Sequence, residues 1–309
     1  MRRMRIAWAL AASLAVSLPA CAGSSTSSTG PVSPTGSAAT TSSSSVEPSP
    51  EPLSDKDFDP ANFDETSTTV DNQWFPLVPG TQMTWDGRAL DGKETIHRRV
   101  VFTVTDLVKE VDGIRVVVGW DLDYNDGTLE EGEIVLFAQD ADGNVWHFGQ
   151  YPEEYADGKI VKAPAWIAGY EGARPGIAMK ADPELGTPSY AQGWGPKVGW
   201  NDRAQTYRLG EHTCVQVDCY DDVLVTREFS RTEPGAYQLK YYAPGVGNVR
   251  VGWGGANEDE HEVLVLTKLV HLDADALAEV RQKVLEQEQR AYRISPDVYG
   301  KTAPAEQLT

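Results

Sequence analysis

The sequence predicts a mainly β fold: one antiparallel domain, a strongly curved sheet or partly open barrel, with a C-terminal surface helix. Three observations predict it. Alternating apolar and polar residues recur between Arg99 and His271, the period of half-buried strands. Short turn sequences separate these runs, and consecutive strands joined by short turns pair antiparallel instead of forming βαβ crossovers. A helical period emerges only near the end, where Leu277, Val280, Val284 and Ala291 share a face between about Asp273 and Tyr292. Curvature follows from sheet twist and from an apolar face that few helices can cover.

The chain opens with Arg2, Arg3 and Arg5 ahead of a small and apolar run from Ile6 to Ala20, the order of a secretory signal. That run is too short to span a membrane as a helix. It ends in Leu18-Pro19-Ala20-Cys21, which resembles the lipobox of bacterial lipoproteins, with Pro19 an unusual occupant. The resemblance implies a thioether-linked diacylglyceryl group on Cys21, with palmitate-type chains, and cleavage just before that residue. Residues 1–20 are therefore expected to be a signal peptide and 21–55 a lipidated cysteine with a disordered tether. The tether is rich in Ser, Thr, Pro, Gly and Ala, a composition that cannot offset ordering entropy. Its coil span is roughly 30 Å and its extended reach up to roughly 110 Å. Residues 56–271 form the expected β domain, 272–294 the helix and 295–309 a disordered tail.

Within the domain, residues 74–80 carry two prolines and an aromatic pair and read as an extended segment docking on the core. Val100, Phe102 and Val104 share one face. Asp112-Gly113 suits a type I′ turn, after which Ile114, Val116, Val118 and Trp120 are expected to continue the inward face on the paired strand. Strands follow at 134–139 and 144–148. Residues 163–200 look loop-like, rich in Gly and Pro yet strongly aromatic. Strands resume at about 205–209, 221–230, 236–243, 248–253 and 262–271.

Three stretches, NQWFPLVPG at 72–80, AQDADGNVWHFG at 138–149 and YYAPGVG at 241–247, together resemble an uncharacterised family of exported, β-rich bacterial proteins, often lipoproteins. The resemblance covers roughly residues 72–270. It implies a β-rich exported domain and brings no catalytic residue with it.

The net charge is -19, and about -22 once the three leading arginines are cut away. No basic cluster with interleaved aromatics relieves it, which excludes a nucleic-acid partner. Polybasic attraction to lipid headgroups is equally absent, so membrane attachment must come through the anchor on Cys21. The other two cysteines, Cys214 and Cys219, are an even pair in an oxidising compartment. In a hairpin they would face each other, and a bridge there would stabilise by roughly 2 kcal/mol on the chain-entropy model. A zinc site and a redox pair are the alternatives.

Candidate chemistry is sparse. Asp121, Asp123, Asn125 and Asp126 gather oxygen ligands as a calcium site would, although the EF-hand pattern is not met and a plain hairpin turn also favours Asp-Gly. The histidines, His97, His147, His212, His261 and His271, show no zinc-hydrolase spacing. Nucleophile elbow, phosphate loop and dinucleotide fingerprint are all missing, so no catalytic residue and no cofactor beyond calcium is indicated. Glu258, Asp259, Glu260 and Glu262 read as a solvated charged loop, while strand parity puts Glu131 and Glu133 on one face and Glu130 on the other. Most tryptophans suit a core, but Trp166, Trp194 and Trp200 could line a groove. The expected function is a non-enzymatic module, lipid-anchored on the extracytoplasmic face of the cell membrane. Its ligand would be an envelope glycan, peptide or lipid, or a protein partner. A carboxylate-based, glycosidase-like hydrolase and a structural or assembly protein are the alternatives.

Overall fold

The structure is a computed structural model that describes residues 58–91 and 94–308. The expected signal peptide, Cys21 and tether lie outside the described residues. Strands β1 (Thr81–Asp91), β2 (Glu94–Val111), β3 (Ile114–Asn125), β4 (Thr128–Gln139) and β5 (Val145–Ala156) form an antiparallel meander. Short strands β6 (Lys159–Lys162), β7 (Trp166–Ile167), β8 (Arg174–Met179), β9 (Tyr190–Ala191) and β10 (Gly193–Trp194) come next. The second meander comprises β11 (Arg203–Cys214), β12 (Cys219–Phe229), β13 (Tyr237–Ala243), β14 (Gly247–Gly254) and β15 (Val263–His271). Helix α1 (Ala274–Ile294) and a terminal strand β16 (Glu306–Gln307) complete the chain.

Neighbours across the sheet run β10-β8-β5-β4-β3-β2-β1-β15-β14-β13-β12-β11-β9. The two ends of this path are consecutive in the chain, separated by Gln192 alone. Residues 190–194 therefore form one segment whose first half pairs with β11 and whose second half pairs with β8. The sheet closes into a barrel across that seam. Residues 163–200, expected to be a long loop, thus hold four short strands. Their pairing stretches are too brief to show a period-two pattern.

Closure gives the sheet an inside, filled by one apolar cluster drawn from both meanders, including Met83, Trp85, Phe102, Val135, Phe137, Tyr242, Val251 and Leu266. The outer face of the first meander is buried as well. There Val116, Val118, Ile134, Leu136, Trp146 and Phe148 pack with Val280, Val284 and Ala291 of α1. This corrects one expectation. Ile114, Val116, Val118 and Trp120 point outward, because Val104 pairs with Gly119 and Phe102 with Asp121, leaving the odd-numbered residues of β3 inside. A strand apolar on both faces carries no parity signal, and the register shift between Val104 and Val108 changes the pairing within one strand.

The Asp273 carboxylate caps α1 by accepting the Ala276 amide at 2.9 Å. The helix docks through polar groups too. Gln287 accepts the Trp120 indole at 2.8 Å and donates to the Gly132 carbonyl at 2.6 Å, and Arg290 grips Glu153 with two nitrogens. The segment beyond α1, expected to be a disordered tail, folds back instead. Tyr299 is buried and β16 pairs with β2. Its apolar content is low, and it is held by the Tyr299 ring, by backbone pairing and by hydrogen bonds from Tyr299 and Ala305 to Glu288.

Candidate functional site

The three stretches that carry the family resemblance meet at one place. Asn72 accepts the amides of Trp74 and Phe75 through Oδ1 and donates through Nδ2 to the carbonyls of Gly143 and Lys180. The Gly245 amide donates to the Gln73 carbonyl at 2.6 Å. So directed, Trp74, Phe75 and Leu77 enter the interior cluster, where the Phe75 ring meets Phe137 edge-on at 5.3 Å. These motifs build a plug, a structural device.

Elsewhere the interior is charged. Inward parity continues from Phe102 and Val100 to Arg98 on β2, from Val117 to Asp121 and Asp123 on β3, and from Val135 to Glu133 and Glu131 on β4. The ladders set Asp121 opposite Glu133 and Asp123 opposite Glu131. From the other meander come Glu228, Lys240 and Glu262. All eight side chains are buried. Arg98 is bound to Asp123 at 2.5 Å and lies 3.7 Å from Glu262. Lys240 meets Glu228 at 2.6 Å, and Glu228 also accepts from Tyr242 and Thr226. Six carboxyl groups therefore share this layer with two basic side chains.

Such crowding cannot be sustained with every acid ionised. Burial, reinforced by Asp123 and Glu131, pushes the Asp121 carboxyl well above the carboxylate range. Neither of its oxygens meets a donor beyond the adjacent Leu122 amide. Burial likewise raises Glu262 to about 8, against the pull of Arg98. His147 faces the same interior, and burial lowers it to about 4.

Of the residues singled out in the sequence, Asp121 and Asp123 belong to this layer. Asn125 ends the strand, and Asp126 (φ 48°) with Gly127 (φ 81°) makes the hairpin turn, its carboxylate accepting the His97 amide at 3.1 Å. The four do not surround one point. Among the described residues the layer's carboxylates bring no three oxygens close enough for a single ion. Trp166 and Trp200 do come together, stacked at 5.6 Å, but both are buried and the His147 ring edges onto each. Close glycines enforce this: a Cβ on Gly193 or Gly195 would strike the Trp166 ring. Trp194 is half-buried on β10. Glu262, read as part of a solvated loop, is inside the barrel. Arg98, His147, Glu228 and Lys240 were not singled out as site residues. Their signal is charge at inward positions of otherwise apolar strands.

The Cys214–Cys219 disulfide is formed, closing the β11–β12 hairpin with both residues exposed.

Fold and interior together define a closed antiparallel barrel, plugged by residues 74–77, with a buried acidic layer. No family model and no curated protein matches the chain. Two solved structures are similar over 64% of this chain and 98% of theirs, each at 14% identity. One is a protein described as exported, with a YmcC-like fold, from Bacteroides fragilis (TM-score 0.38); the other is described as a lipoprotein of Parabacteroides distasonis (TM-score 0.34).

Proposed function

We propose that the chain is an envelope lipoprotein, held at the extracytoplasmic membrane face by acyl chains on Cys21, whose barrel binds a small organic cation of the amine class. One observation carries the reading: Asp121 is buried, lacks donors for both oxygens beyond the adjacent Leu122 amide, and stands among Asp123, Glu131 and Glu133. Of the resident cations, Arg98 is paired with Asp123 and Lys240 with Glu228. An entering ammonium would let Asp121 ionise and would gain charge-assisted hydrogen bonds. Carboxylates spread along strands suit an extended amine better than a bare calcium ion, which needs six or more oxygens at one point. Trp166 and Trp200 would form an aromatic wall beside His147, against which a cation is also favoured.

Calorimetric titration of the purified chain with putrescine, spermidine and calcium chloride tests this. Heat and a raised melting temperature with an amine, both abolished in Asp121→Asn, are expected. A response to calcium alone would replace the amine with a metal site, and no response to any probe would overturn the proposal.

A carboxylate-based hydrolase is the second reading. It is favoured by Glu262, raised to about 8, standing beside Asp123, which Arg98 keeps paired. A carboxyl group raised in this way is a candidate general acid, and a neighbouring carboxylate a candidate base. Turnover of aryl glycosides, lost in Glu262→Gln, would select it.

A further inference from the structure

At the tip of the β11–β12 hairpin, Cys214 pairs directly across the ladder with Cys219, and the Val215 amide closes the turn on the Asp218 carbonyl at 2.9 Å. A bridge of this kind can be a passive clasp. Two neighbours set this one apart. His212, two residues before Cys214 and therefore on the same face of β11, brings Nε2 to 3.4 Å from the Cys214 sulfur. Its other ring nitrogen, Nδ1, donates to the Asp221 carboxylate at 2.7 Å. Carboxylate, imidazole and sulfur are thus aligned in the order that activates a nucleophile or steadies a leaving group. All three stand exposed, open to another macromolecule.

We propose that Cys214 and Cys219 form a thiol–disulfide exchange centre, with His212 and Asp221 as its positioning residues and a dithiol of the cell envelope as its substrate. An incoming thiolate attacks the Cys219 sulfur, and a mixed disulfide forms there. The Cys214–Cys219 bond breaks, and its electron pair leaves with the Cys214 sulfur. His212, held by Asp221, faces that thiolate through Nε2 and in its protonated form stabilises it. The second thiolate of the substrate then attacks its own sulfur in the mixed disulfide and releases Cys219, which takes a proton from water. The substrate is oxidised by two electrons, and the Cys214–Cys219 disulfide is reduced to a Cys214 thiolate facing His212 and a Cys219 thiol. The reverse sequence uses the same Cys214 thiolate as nucleophile. A better leaving thiolate speeds exchange, and a neighbouring cation makes a thiolate better.

The experiment is reduction of the oxidised full chain by dithiothreitol, followed by alkylation and mass spectrometry across a pH series. Wild type, His212→Asn and Asp221→Asn are compared, with circular dichroism as the check on folding. Because His212 and Asp221 are exposed, both variants are expected to fold. Wild type should be reduced roughly tenfold faster than His212→Asn near neutral pH, with Asp221→Asn between them. That ratio should decline as the pH rises, because only the charged ring assists the departing thiolate. A clasp without exchange chemistry would show equal rates for all three proteins at every pH, and that result overturns the proposal. A rate difference independent of pH would also overturn it, since it would reflect access to the sulfur and not the charge on His212.

Discussion

The ammonium of Lys109 meets the carboxylate of Glu288 at 2.8 Å with both side chains sealed from solvent, tying β2 to α1. Glu288 also accepts from the Tyr299 hydroxyl and the Ala305 amide, so one carboxylate fastens barrel, helix and C-terminal return together. Lys109 lies over the Tyr299 ring at 4.6 Å and donates to the Tyr292 hydroxyl at 3.0 Å. Removing one member of such a pair leaves a buried charge uncompensated. Lys109→Met is therefore expected to cost about 3–5 kcal/mol in urea unfolding. Lys109→Met combined with Glu288→Leu should recover much of that loss, and an equal or larger loss in the double variant would show that the hydroxyl and amide partners matter more than the cation.

Asn72 occupies the first position of a stretch whose sequence resemblance has a structural cause. Its side chain meets four backbone groups, from Trp74, Phe75, Gly143 and Lys180. Asn72→Ala leaves these groups short of partners and is expected to destabilise by about 2–3 kcal/mol. The near-ultraviolet signal of Trp74 and Phe75 should weaken at temperatures where the far-ultraviolet signal is intact. Unchanged spectra and stability would remove Asn72 from the plug.

The fold class was legible because turn chemistry and period two agree over most of the chain, and Asp273 with the apolar face behind it announced α1. What could not be read depended on long-range closure. Val116 and Val118 match an inward strand as well as an outward one, and only the covering helix separates the two. Tyr190 and Gly193 form strands solely because β11 and β8 lie on either side. For the site, Glu131 and Glu133 could be assigned to one face from parity. Glu262 follows a run of acids that resembles a solvated loop, and nothing local reveals that the chain turns inward after His261. The approach of His212 to Cys214 is local, two residues along one strand, but Asp221 joins it only through the hairpin.

Closure at the seam depends on Gly176. A Cβ there would lie 2.1 Å from the Gly193 nitrogen and 2.4 Å from the Gln192 carbonyl carbon, both backbone atoms that cannot rotate away. Gly176→Ala is expected to force β8 and β10 apart at a cost of about 3 kcal/mol. Amide exchange at Gln192 and Gly193 should accelerate far more than at β3 or β4. Uniform exchange would mean that the barrel does not rely on this contact.

The buried acids give stability an unusual pH slope. Folded Glu262 holds its proton to about pH 8, whereas unfolded it releases it near 4.5. Between those values the folded state binds more protons, so stability falls as pH rises, by at most about 1.4 kcal/mol per unit. Asp121, also raised by burial, acts in the same direction. His147 opposes them at lower pH: its value falls from 6.5 unfolded to about 4 folded, so acid stabilises the unfolded chain between these limits. The opposing slopes overlap below pH 6.5, and above it the carboxyl groups act without opposition from His147. Melting temperature is therefore expected to drop between pH 6.5 and pH 8, and Glu262→Gln, which keeps a neutral side chain of nearly the same shape, should flatten that drop. A wild-type melting temperature that rises over this interval would mean that Glu262 is ionised inside the barrel.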